Sequence, residues 1–330
     1  MKKILLFLFL LTAVNLAQDI KFKGYGAAGY RFIDRIRIIE YNQETYFEGK
    51  FQAEFEVNKH IEAQLDFRGN SEDQQVELRE FSAKFSFLEH LKFEIGNIKK
   101  PFGAEYIESR EDLAAVNRSF LTEAAGEIGY IGRSVGVMAY YKTKDKKAYP
   151  HSYYFYIFKN NNLQNGITGR YVHHFDDINI GGSYFLLNTG GDYPITTSGL
   201  AASFLYKKKD FLVESELMFL QDPVEAIRRG LQEMDKDVIA WGARVQSVIE
   251  FDTGDKIIEE IEPFVLLSYF QPDTKIADQH TIQTLVGVNF YFDKDVRLRL
   301  NADALFTRNE FNYKYNTHDS RIILEVQVRY

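Results

Sequence analysis

The stretch Gly96-Asn97-Ile98-Lys99-Lys100-Pro101-Phe102-Gly103 ends one strand-like run, and Gly132-Arg133-Ser134-Val135-Gly136-Val137 begins another. Roughly thirty residues without strand alternation lie between them, which is far longer than an ordinary connection. Every other segment of the chain has the pattern of a strand that a turn closes. The sequence therefore predicts a sheet of many strands interrupted by one long segment, residues 99–132, which we call the insert.

Apolar and polar side chains alternate with a period of two in segment after segment, which is the sequence signal of a β-strand. In the last segment the apolar face of Ile322, Leu324, Val326, Val328 and Tyr330 opposes Arg321, Glu325, Gln327 and Arg329. We count sixteen candidate strands, starting near residues 22, 45, 60, 76, 91, 133, 149, 168, 178, 197, 211, 238, 258, 281, 296 and 320. Alternation alone also fits a soluble sandwich, but strands of about ten residues match a tilted bilayer crossing.

Short and long connections take turns between these strands. The short ones are Asn58-Lys59, Leu88 to His90, Thr143 to Lys147, Asp176-Asp177, Lys207 to Asp210, Asp252 to Lys256 and Asp293 to Asp295. Besides the insert, the long ones are Asp34 to Glu44, Gly69 to Gln74, Asn160 to Ile167, Asn188 to Thr196, Gln221 to Asp237, Gln271 to His280 and Arg308 to Asp319. Membrane barrels have this asymmetry and an even number of strands, and closure leaves no sheet edge in hydrocarbon. We predict an all-β fold, a transmembrane antiparallel β-barrel of about 16 strands whose third outer loop folds inward.

The N-terminus has the pattern of a secretory signal peptide. Met1-Lys2-Lys3 is basic, Ile4 to Leu11 is apolar, and small residues follow up to Ala17. A membrane anchor is the alternative, and the apolar run is short for one. We predict a signal peptide at residues 1–17 and a single barrel domain at residues 18–330, in the outer membrane of a double-membrane bacterium.

Other chemistry is sparse in the 330 residues. The chain has no cysteine, and its net charge of −7 argues against a nucleic-acid partner. His173 and His174 are consecutive, so on a strand they face opposite sides and cannot jointly bind a metal. His280 and His318 lie on predicted outer loops, but neither sits beside a nucleophile motif such as G-x-S-x-G, and no EF-hand spacing is present. We therefore expect no catalytic residue, no metal site, no cofactor and no enzymatic activity.

The insert has charges of both signs. Its basic residues, with both ends included, are Lys99, Lys100, Arg110, Arg118 and Arg133. Its acidic residues are Glu105, Glu108, Glu111, Asp112, Glu123 and Glu127, six against five. We predict a short helix over residues 111–121 with Ser109 as its cap. We also predict that the insert narrows the pore, where all five cations and the four carboxylates from Glu105 to Asp112 set ion selectivity. The alternative is an ordinary outer loop across the barrel mouth.

The predicted lumen face is also charged. Acidic residues gather on the early strands, and the last two strands carry Arg297, Arg299, Arg321 and Arg329. One interpretation is that these arginines form a basic wall of the pore. The other is that both signs solvate the bore and pair with one another, each pair contributing little.

The strand end Gly96 to Gly103, the loop segment Arg118-Ser119-Phe120-Leu121 and the re-entry Gly132 to Val137 resemble the phosphate-selective porin O and P family. The direct matches are Lys99, Pro101, Phe102 and Arg133. The resemblance implies a sixteen-stranded outer-membrane channel, commonly a homotrimer, in which basic residues draw anions through the constriction. The insert departs from the phosphate-specific pattern because its carboxylates outnumber its cations.

The expected function is that of an outer-membrane porin, a water-filled channel for passive diffusion of small hydrophilic solutes or ions, with anions including phosphate among them. The expected partners are outer-membrane lipid and these solutes. The alternative is a non-conducting outer-membrane barrel that acts as a surface scaffold, an adhesin or an enzyme.

Overall fold

The computed structural model describes residues 19–35, 40–72, 74–142, 148–159, 165–189, 195–225, 237–308 and 320–330. The predicted signal peptide lies outside these residues. The strands are β1 Asp19–Arg35, β2 Glu40–Asn58, β3 Ile61–Asn70, β4 Gln75–Phe85, β5 Leu91–Lys99, β6 Arg133–Tyr141, β7 His151–Lys159, β8 Asn165–His174, β9 Ile178–Thr189, β10 Ile195–Lys208, β11 Phe211–Gln221, β12 Ile239–Ile249, β13 Glu260–Gln271, β14 His280–Tyr291, β15 Val296–Arg308 and β16 Ser320–Arg329. The short segment Phe251–Asp252 continues β12 along β13.

The sixteen strands close into one antiparallel barrel. Each strand pairs with its neighbours in sequence, and the last strand pairs with the first, with Tyr25 opposite Arg329. Closure satisfies the backbone hydrogen bonds of both terminal strands, so neither presents a free edge. The predicted fold class and strand number are confirmed.

The two faces of the sheet differ as the period of two predicts. On β16, Leu324 is 45% exposed on the outer face and Glu325 is 3% exposed on the inner face. On β15, Arg297, Arg299, Asn301 and Asp303 are all buried on the inner face. An apolar outer surface with polar residues within is the reverse of a soluble sandwich. No helix in the described ranges is long and apolar enough to cross a membrane.

Two of the predicted long connections are shorter than predicted. β1 runs to Arg35 and β2 begins at Glu40, so strand pairing occupies most of the predicted loop from Asp34 to Glu44. Likewise β3 runs to Asn70 and β4 begins at Gln75. The ladder continues there because backbone groups pair whatever the polarity of their side chains. The predicted turn at residues 143–147 and parts of six predicted long connections, these two included, lie outside the described residues.

The C-terminal residue closes the seam between the first and last strands. Tyr330 and Gly24 exchange two backbone hydrogen bonds of 3.1 Å each, and the Tyr330 hydroxyl donates to the Lys50 carbonyl at 3.1 Å. A Cβ on Gly24 would lie 2.5 Å from the Tyr330 hydroxyl, so a glycine is needed to seat the ring.

Deleting Tyr330 is expected to lower the fraction of barrel that stays folded on a heat-modifiability gel. The deletion removes two seam hydrogen bonds, each contributing about 1 kcal/mol, and the ring. Tyr330→Phe keeps the ring and the backbone bonds, so it is expected to fold almost as well as the native chain. Equal folded fractions for the deletion and the native chain would show that the seam does not depend on this residue.

Candidate functional site

The insert leaves and re-enters the barrel at directly paired positions. Lys99, the last residue of β5, lies opposite Arg133, the first residue of β6, and the Lys100 N–H donates to the Gly132 carbonyl at 3.0 Å. Gly103 has a φ of 76°, and a Cβ there would lie 3.0 Å from the Met218 side chain. The glycine therefore permits the turn that starts the insert.

The predicted helix over residues 111–121 is wrong. The insert contains helix α1, Ala104–Ile107, one 3-10 turn, Arg110–Asp112, and helix α2, Phe120–Ile128. Ser119, and not Ser109, caps α2 by accepting the Thr122 N–H at 3.3 Å.

Side chains of the barrel wall explain why residues 113–116 are not helical. Asn289 donates to the Ala114 carbonyl at 3.0 Å, and the Val116 N–H donates to the Asn301 side chain at 2.8 Å. These backbone groups therefore have partners on β14 and β15 in place of partners within a helix.

An apolar cluster joins α2 to the wall. Phe120, Leu121, Ala124 and Ala125 of α2 are buried. Their cluster includes wall residues from β6 to β15, namely Met138, Tyr156, Phe158, Phe185, Leu187, Ala201, Met218, Leu220, Ala240, Phe270 and Leu305. The sequence predicts a water-filled bore, whereas apolar side chains occupy this part of the inner face. The sequence contains a signal for this cluster, because these apolar residues fall at positions that the alternation of each strand directs inward.

Glu105 anchors α1. The carboxylate is 1% exposed, accepts the Ser119 N–H at 3.0 Å and also accepts the hydroxyls of Ser119 and Thr122. Arg244 Nε lies 3.6 Å from it. Burial opposes ionisation of Glu105, but Arg244 and these hydrogen bonds outweigh burial and lower its pKa. The predicted selectivity residue is thus enclosed in a structural network.

Arg244, on β12, also connects this network to the neighbouring strand β11. Its guanidinium lies 3.3 Å from Glu214 and 3.3 Å from Glu216, both on β11. Glu216 in turn accepts the N–H of Ala104, the first residue of α1. The pKa of Glu108, in the insert, is raised to about 7 by burial and by repulsion from Glu214. Arg244 is therefore the shared cation of a carboxylate-rich cluster.

Three of the four arginines of the predicted basic wall donate hydrogen bonds to the backbone of the insert. Arg297 donates to the Glu111 carbonyl at 2.7 Å, and Arg329 donates to the same carbonyl. Arg299 donates to the Ala115 carbonyl at 3.4 Å, and both Arg297 and Arg299 are 2% exposed.

Arg321 pairs with Asp303 at 2.7 Å. Irregular backbone in the insert needs hydrogen-bond donors, and the arginines at 297, 299 and 329 supply them. The four arginines therefore do not form an open charged wall.

A polar cavity of about 50 Å³ remains between the insert and strands β1 to β6. We call it the passage. Its lining includes seven basic side chains, Lys50, Arg68, Arg79, Lys99, Arg110, Arg118 and Arg133, and two carboxylates, Asp66 and Glu111. Four of the five predicted constriction cations are thus brought together, with three more from β2, β3 and β4.

Ion pairs neutralise part of the passage. Lys50 lies 2.6 Å from Glu111, Arg110 lies 2.9 Å from Glu48, and Arg133 lies 3.3 Å from Glu80. Arg68 also pairs with Glu48.

Three cations are left without such a pair. Among the described residues, no carboxylate lies within 4 Å of the charged groups of Arg79, Lys99 or Arg118. Arg118 donates instead to the Glu108 carbonyl at 2.7 Å and lies 5.2 Å from the Tyr106 ring centroid. Positive charge without a direct ion pair therefore faces the passage.

The alternation of β4 does not predict the inward position of Arg79, because a β-bulge directs this side chain inward. Asp66 pairs with Glu80 and Phe67 pairs with Leu78, so Arg79 is the extra residue of β4. A bulge places two consecutive side chains on one face, and strict alternation would put Arg79 outside. The sequence signal for the bulge is that strict alternation places this arginine on the otherwise apolar outer face.

Lys100 and Asp112 lie away from the passage. Lys100 is 2% exposed, donates to the Gly129 carbonyl at 2.8 Å and lies 5.0 Å from the Phe158 ring centroid. Burial lowers the pKa of Lys100 to about 8. Lys100 therefore links the two ends of the insert. Asp112 is exposed and lies 3.4 Å from Arg329.

No protein-family model matches the chain, and no curated protein matches it. Solved structures do match it. Salmonella typhi OmpF in complex with daunomycin superposes with a TM-score of 0.66 at 14% identity, covering 96% of this chain and 99% of OmpF. An anion-selective porin from Comamonas acidovorans gives 0.66 at 10% identity, covering 94% and 99%. The chain has the porin fold.

The outer-membrane channel DcaP of Acinetobacter baumannii is similar as well, with a TM-score of 0.63 at 11% identity and coverage of 94% and 97%. At these identities the likeness establishes the porin fold, and the activity is inferred from the chain's own residues. Within the described residues, no group of three or more His, Cys, Asp or Glu side chains has the arrangement of a metal site.

Proposed function

We propose that the chain is an outer-membrane porin, a channel for passive diffusion of small hydrophilic solutes, and that it has no enzymatic activity. The observation that carries the proposal is the passage, in which seven basic side chains face one cavity beside the insert of a closed barrel. The apolar outer face supports membrane insertion. The proposed mature chain begins after a signal peptide at residues 1–17, with residues 18–330 forming the barrel.

We propose further that the insert lies within the lumen and narrows it. Its contacts with β14 support this position. The Phe120 N–H donates to Gln283 at 2.7 Å, and Asn289, six residues further along the strand, donates to the Ala114 carbonyl at 3.0 Å. Six strand residues span about 20 Å along β14, and the hydrocarbon core is about 30 Å thick, so the insert follows the wall well into the barrel. A loop laid across the mouth would contact strand ends alone.

The solutes that suit this passage are small anions, with phosphate among them. Seven basic side chains line the cavity with two carboxylates, and Glu48 and Glu80 pair with three of these cations, so basic groups still outnumber acidic ones by seven to four. Ions in so narrow a space stay within a Debye length of about 8 Å of the fixed charges. Arginine also matches the geometry of phosphate oxygens. The homotrimer and the preference for anions are the properties that the resemblance to the phosphate-selective porins implies, and we retain both as proposals.

The proposal is tested with the purified full-length protein in liposomes loaded with potassium chloride. Chloride is expected to leave faster than potassium, and release of a disaccharide is expected to be much slower because the cavity is small. The control is protein that has not inserted into the liposomes as a folded barrel, as a heat-modifiability gel shows. A folded barrel that releases neither ion would favour the alternative of a surface scaffold, adhesin or enzyme.

A further inference from the structure

We propose that the outer face of β7 and β8 carries a binding site for a divalent transition metal, formed by His151, His173 and Tyr171. The site lies on the opposite face of the sheet from the passage and does not depend on the proposed function. His151 on β7 and His173 on β8 are directly paired residues of the ladder, so the backbone sets the two imidazoles side by side.

The three donor atoms lie at the distances that a metal ion needs. The Nδ1 atoms of His151 and His173 are 3.2 Å apart. The Tyr171 hydroxyl is 2.8 Å from the first and 3.4 Å from the second. Tetrahedral zinc, with bonds of 2.0–2.1 Å to nitrogen, requires donors about 3.3 Å apart. The triangle therefore matches one face of a coordination tetrahedron, with the fourth position left for water.

The chemistry of the donors favours zinc, copper or nickel. Imidazole nitrogen suits these ions, whereas magnesium and calcium prefer oxygen. Between two neutral imidazoles only one hydrogen bond can form, because one Nδ1 donates and the other accepts. A metal ion would use the lone pairs of both nitrogens, so it makes fuller use of this pair of side chains.

Neighbouring rings hold the site in shape. The ring centroids of His173 and Phe175 are 4.2 Å apart, and those of Tyr153 and Tyr171 are 5.2 Å apart. Packing of this kind limits side-chain rotation, so less entropy is lost on binding.

The site is also accessible from water. His151 is the first residue of β7, and His173 is the last but one of β8. Both histidines therefore lie at the end of the barrel where the strands leave the bilayer, and both are half-buried.

This site cannot be recognised by comparing His173 with its neighbour in sequence. His174 does face the other way, since its Nε2 lies 2.9 Å from the Ser152 hydroxyl and its Nδ1 lies 2.7 Å from the Asn179 side chain. The partner of His173 comes from the adjacent strand, and the register of β7 on β8 is needed to identify it.

The test is calorimetric titration of the full-length protein, folded in detergent, with zinc chloride and then nickel chloride. One ion per chain is expected to bind to the native protein. His151→Ala and His173→Ala are each expected to weaken binding by at least about tenfold, which corresponds to about 1.4 kcal/mol. Tyr171→Phe removes only the hydroxyl and is expected to have a smaller effect.

His174→Ala is the matched control, because this histidine lies on the same strand and faces the other side; it is expected to bind zinc like the native protein. A heat-modifiability gel confirms that every variant is folded. Copper(II) bound to the native protein should show two nitrogen ligands by electron paramagnetic resonance, which is readable even where a variant folds poorly. The proposal is overturned if the native protein binds no ion, or if zinc binding survives loss of both His151 and His173.

Discussion

Replacing Arg244 by alanine is expected to release the insert from the wall formed by β11 and β12. Arg244 is the cation shared by Glu105, Glu214 and Glu216, at distances of 3.3 to 3.6 Å. Its loss leaves these buried carboxylates facing one another, and removing one partner of a buried ion pair costs about 3–5 kcal/mol. Because Glu105 belongs to α1, we expect the strain to be relieved by undocking of the insert, with the barrel still closed.

The measurement is single-channel conductance in planar bilayers, together with limited trypsin digestion of the folded protein. Arg244→Ala is expected to give larger, fluctuating conductance and new cleavage after Arg118. Arg170→Ala is the matched control, since Arg170 is a half-buried arginine on the inner face that donates to Ser183 at 3.0 Å and Ser203 at 3.1 Å and contacts no carboxylate of this cluster. Native conductance and native trypsin resistance in a folded Arg244→Ala barrel would contradict the anchoring role.

Replacing both Arg118 and Arg133 by glutamate is expected to shift the reversal potential of the channel toward that of cations. The two substitutions change the lining of the passage from seven cations and two carboxylates to five cations and four carboxylates. Glutamate at position 133 would also face Glu80 and Asp66, which Arg133 now approaches at 3.3 Å and 3.8 Å. Screening weakens with dilution, so the shift should be larger at 0.1 M salt than at about 1 M.

Arg321→Gln is the control for this experiment. Arg321 lies on the inner face and pairs with Asp303 at 2.7 Å, but it does not line the passage. We expect its reversal potential to equal that of the native channel. An equal shift in Arg321→Gln and in the double variant would mean that selectivity depends on overall lumen charge, and no shift in either would place the conducting path elsewhere.

The fold was predictable because local alternation determines it. The strand predicted to start near residue 281 starts at His280, and the one predicted near 197 starts at Ile195. The ends of the insert at Lys99 and Arg133 were also predicted correctly, because the strands on either side of it alternate strictly. A period of two needs no knowledge of the partner strand, so one sequence suffices.

The contacts of the insert were not predictable in the same way. Arg297 and the Glu111 carbonyl that it binds are 186 residues apart, and nothing local indicates that such a pair meets. The start of α2 at Phe120 depends on which backbone groups the wall already occupies. The inward position of Arg79 can be predicted only from the register of β3 on β4, where one bulge moves this side chain to the other face of the sheet. Contacts between residues far apart in the sequence therefore determine the detailed geometry of the site.

The most direct test of the central claim is the reversal potential of the native channel in a planar bilayer under a KCl gradient. The passage with seven basic side chains and two carboxylates predicts steady, stepwise conductance and a reversal potential of the sign set by chloride. A folded barrel with no steady conductance would contradict the assignment as a channel. Steady conductance with a reversal potential of the sign set by potassium would contradict the basic passage as the route of the ions.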